Sequence, residues 1–154
     1  ERSGALYHEA VPPCADYAVQ ATYVLKTDMS TMSVAGRMQL GALSFYMAFY
    51  SGGSLQLAKY VAGTYTLLDS AATPWVAGTH TLRLEMVGTA IGVFWDGVET
   101  LTAVDGSITA AGYAGIRSGS PNDAHIGKHI DTFLAADDTT LAIGRSQVIG
   151  IVGL

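Results

Sequence analysis

Hydrophobic and polar residues alternate with a period of two along most of the chain. The clearest early run covers residues 17–26, where Tyr17, Val19, Ala21, Tyr23 and Leu25 fall on one side. Successive side chains of a β-strand point to opposite faces of a sheet, so this run predicts a strand with one buried face. Helical spacing is almost absent, and the pattern as a whole favours an all-β fold.

Further runs of the same kind follow at short, regular intervals, separated by Gly, Ser, Asp and Asn. The strands they predict cover residues 33–39, 44–50, 55–61, 64–68, 79–86, 90–95, 99–104, 112–117 and 129–135. Asp96-Gly97 is a hairpin signal, because both residue types tolerate positive φ. The glycine-rich run 112–117 is typical of a curved sheet or a close backbone contact. Short strands at this spacing predict a sandwich or barrel.

The composition adds that the surface is unusually poor in charge. Charged residues make up 14% of the 154 residues and hydrophobic residues 49%, whereas about 25% charge is usual in soluble domains. We therefore expect part of the surface to lie against a neighbouring subunit, domain or partner. The net charge is −5 and the eight basic residues never cluster, which disfavours nucleic acid as a partner. No apolar run is long enough to span a membrane.

Five pieces of sequence, in order, carry a resemblance to a known superfamily. They are the strand around Arg37, residues 46–48 with 55–59, 78–84, 95–97 and 111–116, with 130–133 as a closing strand. Over residues 15–136 the chain resembles the concanavalin A-like and laminin G-like jelly-roll sandwiches. The resemblance implies an antiparallel jelly-roll β-sandwich. It implies no single activity, because the superfamily includes lectins, adhesion domains, glycosidases, polysaccharide-binding modules and phage tail and capsid domains.

The sequence divides into three segments on this basis. Residues 1–14 form an N-terminal segment, residues 15–136 the sandwich, and residues 137–154 an apolar, strand-like tail. An exposed apolar tail would be an aggregation hazard, so we expect it to dock on its own sandwich or on a neighbour. The lone Cys14 cannot form an intrachain disulfide and is interpreted as a small hydrophobic residue.

A catalytic site is not visible in the sequence. Enzymes of this superfamily that cleave β-glucans carry a Glu-x-Asp-x-x-Glu run on one strand, so that two carboxyl groups reach the sugar together. No such run occurs here, and Glu85 stands alone on its strand. No Gly-x-Ser-x-Gly nucleophile motif occurs either. We therefore predict a protein that is not an enzyme, with glycoside hydrolase as a distant third hypothesis.

Aromatic side chains offer candidates for a sugar-binding surface. The sequence supplies Tyr46, Tyr50, Tyr60, Tyr65, Trp75 and Trp95 as ring candidates. Both faces of the strand 44–50 are apolar, which suggests that one covers the core and the other a ligand or partner. From these we predict a ligand-binding set of Arg37, Tyr46, Tyr50 and Trp75, with Arg37 as the polar anchor. Trp95 is in register with Ile91 and Val93, which favours a core position.

Metal binding is a weaker candidate. Several members of the resembled superfamily hold calcium through loop carboxylates, which suit a hard cation, and the resemblance therefore implies Asp131 and Asp123 as candidate calcium ligands. Turn formation explains Asn122 and Asp123 without a metal and is the favoured interpretation. His125 and His129 would lie about 13 Å apart on a strand, too far to chelate one ion. No other cofactor is predicted.

The leading hypothesis is a non-catalytic surface binding module, carbohydrate-binding or adhesive, on a secreted or virion-surface protein. Its expected partner is a glycan or another surface polymer. The alternative is a phage structural protein, in the capsid or tail, that uses the jelly roll for assembly as a homo-oligomer or with a neighbouring structural subunit.

Overall fold

The structure is a computed structural model that describes residues 4–7, 11–25, 32–74, 76–118 and 129–137. The regular elements in these ranges are β-strands, apart from one 3-10 turn at Leu40–Ala42. The strands are β1 (Gly4–Tyr7), β2 (Tyr17–Leu25), β3 (Met32–Gln39), β4 (Ser44–Ser51), β5 (Ser54–Val61), β6 (Thr64–Ala72), β7 (Gly78–Val87), β8 (Ala90–Trp95), β9 (Val98–Val104), β10 (Tyr113–Ser118) and β11 (His129–Asp137). The described ranges contain no helix with the length and apolar character needed to cross a membrane.

The strands form two antiparallel sheets. A six-stranded sheet has the order β1-β10-β3-β4-β5-β6, and a five-stranded sheet has the order β11-β2-β7-β8-β9. Several hydrogen-bonded neighbours, such as β10 and β3 or β11 and β2, are far apart in sequence. The chain therefore crosses repeatedly between the two sheets, as it does in a jelly roll.

The inner faces of the two sheets enclose one hydrophobic core. The five residues of β2 predicted to share a buried face, from Tyr17 to Leu25, are each at most 5% exposed, which confirms that prediction. Residues from the other strands complete this core; they include Val34, Tyr46, Ala48, Tyr50, Leu55, Leu57, Leu82, Leu84, Met86, Ile91, Val93 and Leu101. Alternation along each strand leaves the outward positions to form the two outer surfaces of the sandwich.

Local backbone features agree with the predicted turns. Asp96 and Gly97 have φ of 50° and 82°, as a two-residue primed hairpin turn between β8 and β9 requires. The Asp96 carboxylate also accepts the backbone N–H of Thr81 at 2.8 Å. Gly112 confirms the expected close contact, because a Cβ there would lie 2.6 Å from the backbone carbonyl carbon of Arg37.

The two ends of the chain add one finding. β1 lies inside the segment 1–14 and pairs with β10, so part of that segment belongs to the six-stranded sheet. At the other end, β11 pairs with β2 through Asp137. The rest of the predicted apolar tail, residues 138–154, lies outside the described residues, and its docking stays a prediction.

Candidate functional site

Arg37 lies in the core, at a bulge in β3. Between Gly36 and Gln39 the register with β4 shifts, and Arg37 has a φ of 49°. A bulge sets two residues against one and re-aims the side chains that follow. Simple alternation would place Arg37 outward, in line with Ala35. The bulge instead turns it inward, where it is fully buried.

The Arg37 guanidinium joins three separate segments at one end of the sandwich. It donates to the carbonyl oxygens of Ala15 at 2.8 Å and of Gly88 and Ile108 at 2.9 Å each. It also pairs with the carboxylate of Asp16 at 3.2 Å. These partners belong to the segment before β2, the β7–β8 turn and the β9–β10 loop. Arg37 therefore acts as a structural clamp, and its predicted role as an exposed polar anchor is corrected.

Tyr46 and Tyr50 also point into the core, and both are at most 1% exposed. The Tyr46 hydroxyl donates to the Asp105 carboxylate at 2.7 Å and accepts the backbone N–H of Ile108 at 3.2 Å. The Tyr50 hydroxyl donates to the carbonyl of Thr73 at 3.1 Å. Rings placed this way offer no outer surface to a ligand, so the predicted ligand-binding role of Tyr46 and Tyr50 is corrected in the same way.

A polar cluster surrounds the Tyr46 hydroxyl. Lys59 forms an ion pair with Asp105 and donates to the Ser107 hydroxyl at 2.7 Å. Burial, together with the hydrogen bond to Asp105, raises the pKa of Tyr46 to about 12. Burial opposes the charged form of Asp105, but hydrogen bonds from Lys59, Tyr46 and Ser107 outweigh it and lower the pKa of that carboxyl. The cluster thus keeps a neutral phenol beside an ionised carboxylate and holds the β9–β10 loop against β4 and β5.

Trp95 packs against the core, which confirms its predicted position. Its ring stacks on Tyr50 with centroids 5.3 Å apart and on His80 with centroids 5.0 Å apart. His80 in turn lies 2.8 Å from the Asp96 carboxylate. This stack closes the end of the sandwich beside the β8–β9 turn.

Most of the remaining predicted site residues cannot be placed in a binding site. Trp75, Asp123 and His125 lie outside the described residues. Asp131 is exposed on β11, at the edge of the five-stranded sheet. Within the described ranges no three His, Cys, Asp or Glu side chains come together as a metal site would need. The calcium ligands Asp131 and Asp123 therefore stay a prediction.

The outer surface of the six-stranded sheet carries the second apolar face of β4, opposite Tyr46 and Tyr50. Phe45, Met47 and Phe49 point outward, and cross-strand register groups the outward residues into rows. The first row is Phe45, Tyr60 and Tyr65; the second is Ala35, Met47, Ala58 and Leu67; the third is Ser33, Phe49, Gln56 and Ser70. We call these three rows, with Met38 and Tyr113 beside them, the aromatic face.

Rings cover the middle of the aromatic face. Met47 and Ala58 are at most 3% exposed although they point outward, and the neighbouring rings pack against the cluster that contains Met47. Phe45 and Tyr60 stack with centroids 4.6 Å apart, and Tyr60 meets Tyr65 edge to face at 5.5 Å. Tyr65 is 45% exposed, so the aromatic face is most open along the edge strand β6.

Polar groups on the aromatic face are uncharged. In the third row Gln56 lies beside Phe49 and Ser70 lies beyond Gln56, so an amide and a hydroxyl are available on the same side of a ring. The charged residues of β5 and β6 point the other way: Lys59 reaches Asp105, and Asp69 accepts the backbone N–H of Thr102 at 3.2 Å. Among the described outward positions of β3 to β6, none is charged. This arrangement suits a neutral, partly apolar ligand or partner.

The sequence held a signal for this surface but not its orientation. The two apolar faces of β4 indicated that one face covers something other than the core. Alternation alone cannot tell which face is inward, because both Tyr and Phe suit a core. The structure settles the choice through the hydroxyl groups of Tyr46 and Tyr50, which find buried partners that a phenylalanine could not use.

Comparisons with known proteins identify structures with a similar fold. No protein-family model matches the chain, and no curated protein matches it. Among solved structures, the carbohydrate-binding module CBM66 from Bacillus subtilis has a TM-score of 0.71 at 14% identity, covering 88% of this chain and 82% of that one. Sheep galectin-11 has a TM-score of 0.60 at 11% identity, covering 87% of this chain and 96% of that one.

Mouse laminin alpha1 chain, domains LG4-5, has a TM-score of 0.58 at 12% identity, covering 86% of this chain and 38% of that one. These similarities confirm the predicted fold: the chain is an antiparallel jelly-roll β-sandwich. At such identities they establish the fold and leave the activity to the site.

Proposed function

We propose that the chain is a non-catalytic carbohydrate-binding module that holds a neutral glycan on its aromatic face. The observation that carries the proposal is the open edge at β6, where the exposed ring of Tyr65 and the polar groups of Gln56 and Ser70 share one uncharged surface. Rings take the apolar C–H faces of sugars, while a few amides and hydroxyls bind their hydroxyl groups.

The extent of the surface also suits a glycan chain. Phe45 and Phe49 are four residues apart on β4, which places the first and third rows about 13 Å apart. That span is longer than a single pyranose ring. An oligosaccharide lying along β6 would contact Tyr65 at one end and Ser70 at the other.

One structural neighbour supports the same class of ligand by its name, which is that of a carbohydrate-binding module. A glycan-binding role would place the protein outside the cell or on a virion surface, and that location is part of the proposal.

A glycan array followed by isothermal titration calorimetry tests the proposal. We expect at least one neutral oligosaccharide to bind, and Tyr65→Ala to weaken binding about fivefold, since an aromatic contact contributes about 1 kcal/mol. Val76→Ala is the matched control, because Val76 is also an exposed apolar residue but lies on no face of the six-stranded sheet. The proposal fails if no neutral glycan binds, or if both variants bind as tightly as the unmodified protein.

A second candidate function, assembly with another copy or a structural subunit of a virion, is favoured by one observation. Phe45 and Tyr60 stack face to face, so part of their ring area already serves packing within the aromatic face. An uncharged apolar surface of this kind also suits a protein interface. Light scattering separates the two functions: a symmetric oligomer that Leu67→Glu dissociates, with no glycan bound, would favour assembly over glycan binding.

A further inference from the structure

The outer surface of the five-stranded sheet has a depression centred on Gly92. Gly92 is an outward position of β8, and its cross-strand neighbours are Glu85 on β7 and Thr102 on β9. Two residues along the strand in either direction, Ala90 and Phe94 point outward as well. These neighbours line an open surface depression with a volume of about 530 Å³. Pockets that hold small ligands have volumes of roughly this size.

Glycine at position 92 allows two side chains that line the depression to lie close to the backbone of β8. A Cβ there would lie 3.1 Å from a carboxylate oxygen of Glu99 and 3.1 Å from Cε2 of Phe94. The backbone does not require glycine through positive φ at this position. Glycine in a strand interior usually weakens the strand and marks a place where something approaches the backbone closely. Here Glu99 and the edge of Phe94 lean over the space that a side chain would fill.

The charges around the depression do not balance. Arg83 pairs with Glu85 at 2.6 Å and lies over the Phe94 ring at 5.1 Å from its centroid. Glu99 also lines the depression, and within the described part of the chain it forms no ion pair. One negative charge at the depression is therefore left without a partner of opposite sign among its described neighbours.

We propose that the Gly92 depression binds a sugar residue that carries a free amino group. The Glu99 carboxylate would accept hydrogen bonds from the ammonium group, a charge-assisted contact. Phe94 and the exposed Val104 would take the apolar side of the sugar ring, and the Thr102 hydroxyl would bind one of its hydroxyl groups. This inference rests on the proposed glycan binding and adds a second site of different ligand chemistry on the opposite sheet.

A metal ion fits the same residues less well. Glu85 forms an ion pair with Arg83, so Glu99 is the one carboxylate among the described residues of the depression left to bind a metal ion. A hard cation takes six or more oxygen ligands. The phenylalanine and valine side chains that line the depression also supply no ligands. An ammonium group on an apolar ring matches the mixture of groups that is present.

The test compares a fully deacetylated chitosan tetrasaccharide with its N-acetylated counterpart by isothermal titration calorimetry on the full chain. We expect the deacetylated form to bind at least about tenfold more tightly, since acetylation removes the charge that Glu99 would meet. Glu99→Gln should weaken binding of the deacetylated form by a similar factor. Gly92→Ala should weaken it as well, because the new methyl group displaces Glu99 and Phe94.

Asp131→Asn, measured in EDTA so that calcium at Asp131 plays no part, is the matched control, because it removes the same unit of charge from an exposed position at the opposite edge of the same sheet. Equal weakening by Glu99→Gln and Asp131→Asn would show binding by net charge alone and would overturn the inference. Equal affinity for the two saccharides would overturn it too. If Tyr65→Ala abolishes binding and Glu99→Gln does not, the inference is wrong while the proposed function at the aromatic face stands.

Discussion

The two outer surfaces of the sandwich differ although one core supports both. On the six-stranded sheet the described outward positions of β3 to β6 are aromatic, aliphatic or neutral polar. On the five-stranded sheet, Arg83, Phe94 and Glu99 form a cross-strand row of cation, ring and carboxylate. Alternation fixes which residues face the core, so the outward residues are free to vary independently on the two sheets. Different ligands are therefore expected on the two surfaces.

The largest expected effect is a difference in stability between a substitution inside the sandwich and one on its outer surface. Arg37→Met leaves three backbone carbonyls without their donor, which should lower the free energy of unfolding by about 3 kcal/mol or more. Arg83→Met, on the outer surface of the five-stranded sheet, should lower it by about 1 kcal/mol or less. Chemical denaturation measures both. Equal losses would contradict the assignment of Arg37 as a buried clamp.

A smaller effect should distinguish the two sides of β4 and its neighbour β5. Tyr46→Phe removes a buried hydroxyl that donates a hydrogen bond to Asp105 and accepts one from the Ile108 backbone. The substitution should lower the free energy of unfolding by about 1–2 kcal/mol. Tyr60→Phe removes a hydroxyl from the aromatic face and should change it by about 0.5 kcal/mol or less. Chemical denaturation again measures both. A greater loss of unfolding free energy for Tyr60→Phe than for Tyr46→Phe would contradict the assignment of Tyr46 to the core and Tyr60 to the outer surface.

The stability of the protein at acidic pH should depend on the polar cluster around Asp105. Burial raises the pKa of Asp105, but hydrogen bonds from Lys59, Tyr46 and Ser107 lower it by more. The pKa of Asp105 in the folded protein therefore lies below its usual 3.8. Asp105 therefore contributes stability that is complete well above pH 3.8 and is lost as pH falls below that value. Unfolding followed from neutral to acidic pH should show a shallower loss in Asp105→Asn. An identical pH dependence in the two proteins would contradict the role of the cluster.

The smallest expected effect concerns Gly92. If the depression exists for a ligand, filling it should cost binding and little stability. Gly92→Ala gains backbone rigidity in the unfolded chain and crowds Glu99 and Phe94, so the free energy of unfolding should stay within about 1 kcal/mol of the unmodified protein. Thermal unfolding measures this. A loss of several kcal/mol would contradict this expectation and would mean that Gly92 is required for folding.

Much of the fold could be predicted because alternation and turn residues are local signals. The run 17–26 and the Asp96-Gly97 turn correspond closely to β2 and the β8–β9 hairpin. The β3 bulge could not be predicted, because one extra residue leaves the composition unchanged while it turns Arg37 inward. β1 was missed as well, since a short strand gains its stability from pairing with β10, more than a hundred residues later.

The candidate site was harder to predict for the same reason. The aromatic face brings together residues of separate strands, and their grouping depends on cross-strand register rather than on any local motif. Tyr60 and Tyr65 were recognised as candidate rings, but their link to Phe45 and Phe49 required the pairing of β4, β5 and β6. The Gly92 depression likewise becomes visible only when Glu85 and Thr102 are known to lie on either side.

The most direct test of the central claim is a two-dimensional NMR titration with the neutral oligosaccharide that binds best. If the glycan lies on the aromatic face, the largest amide shifts should map to β5 and β6, around Gln56, Tyr65 and Ser70. Amides around Gly92 on β8 should change little. Shifts concentrated on the five-stranded sheet, with the aromatic face unaffected, would contradict the account.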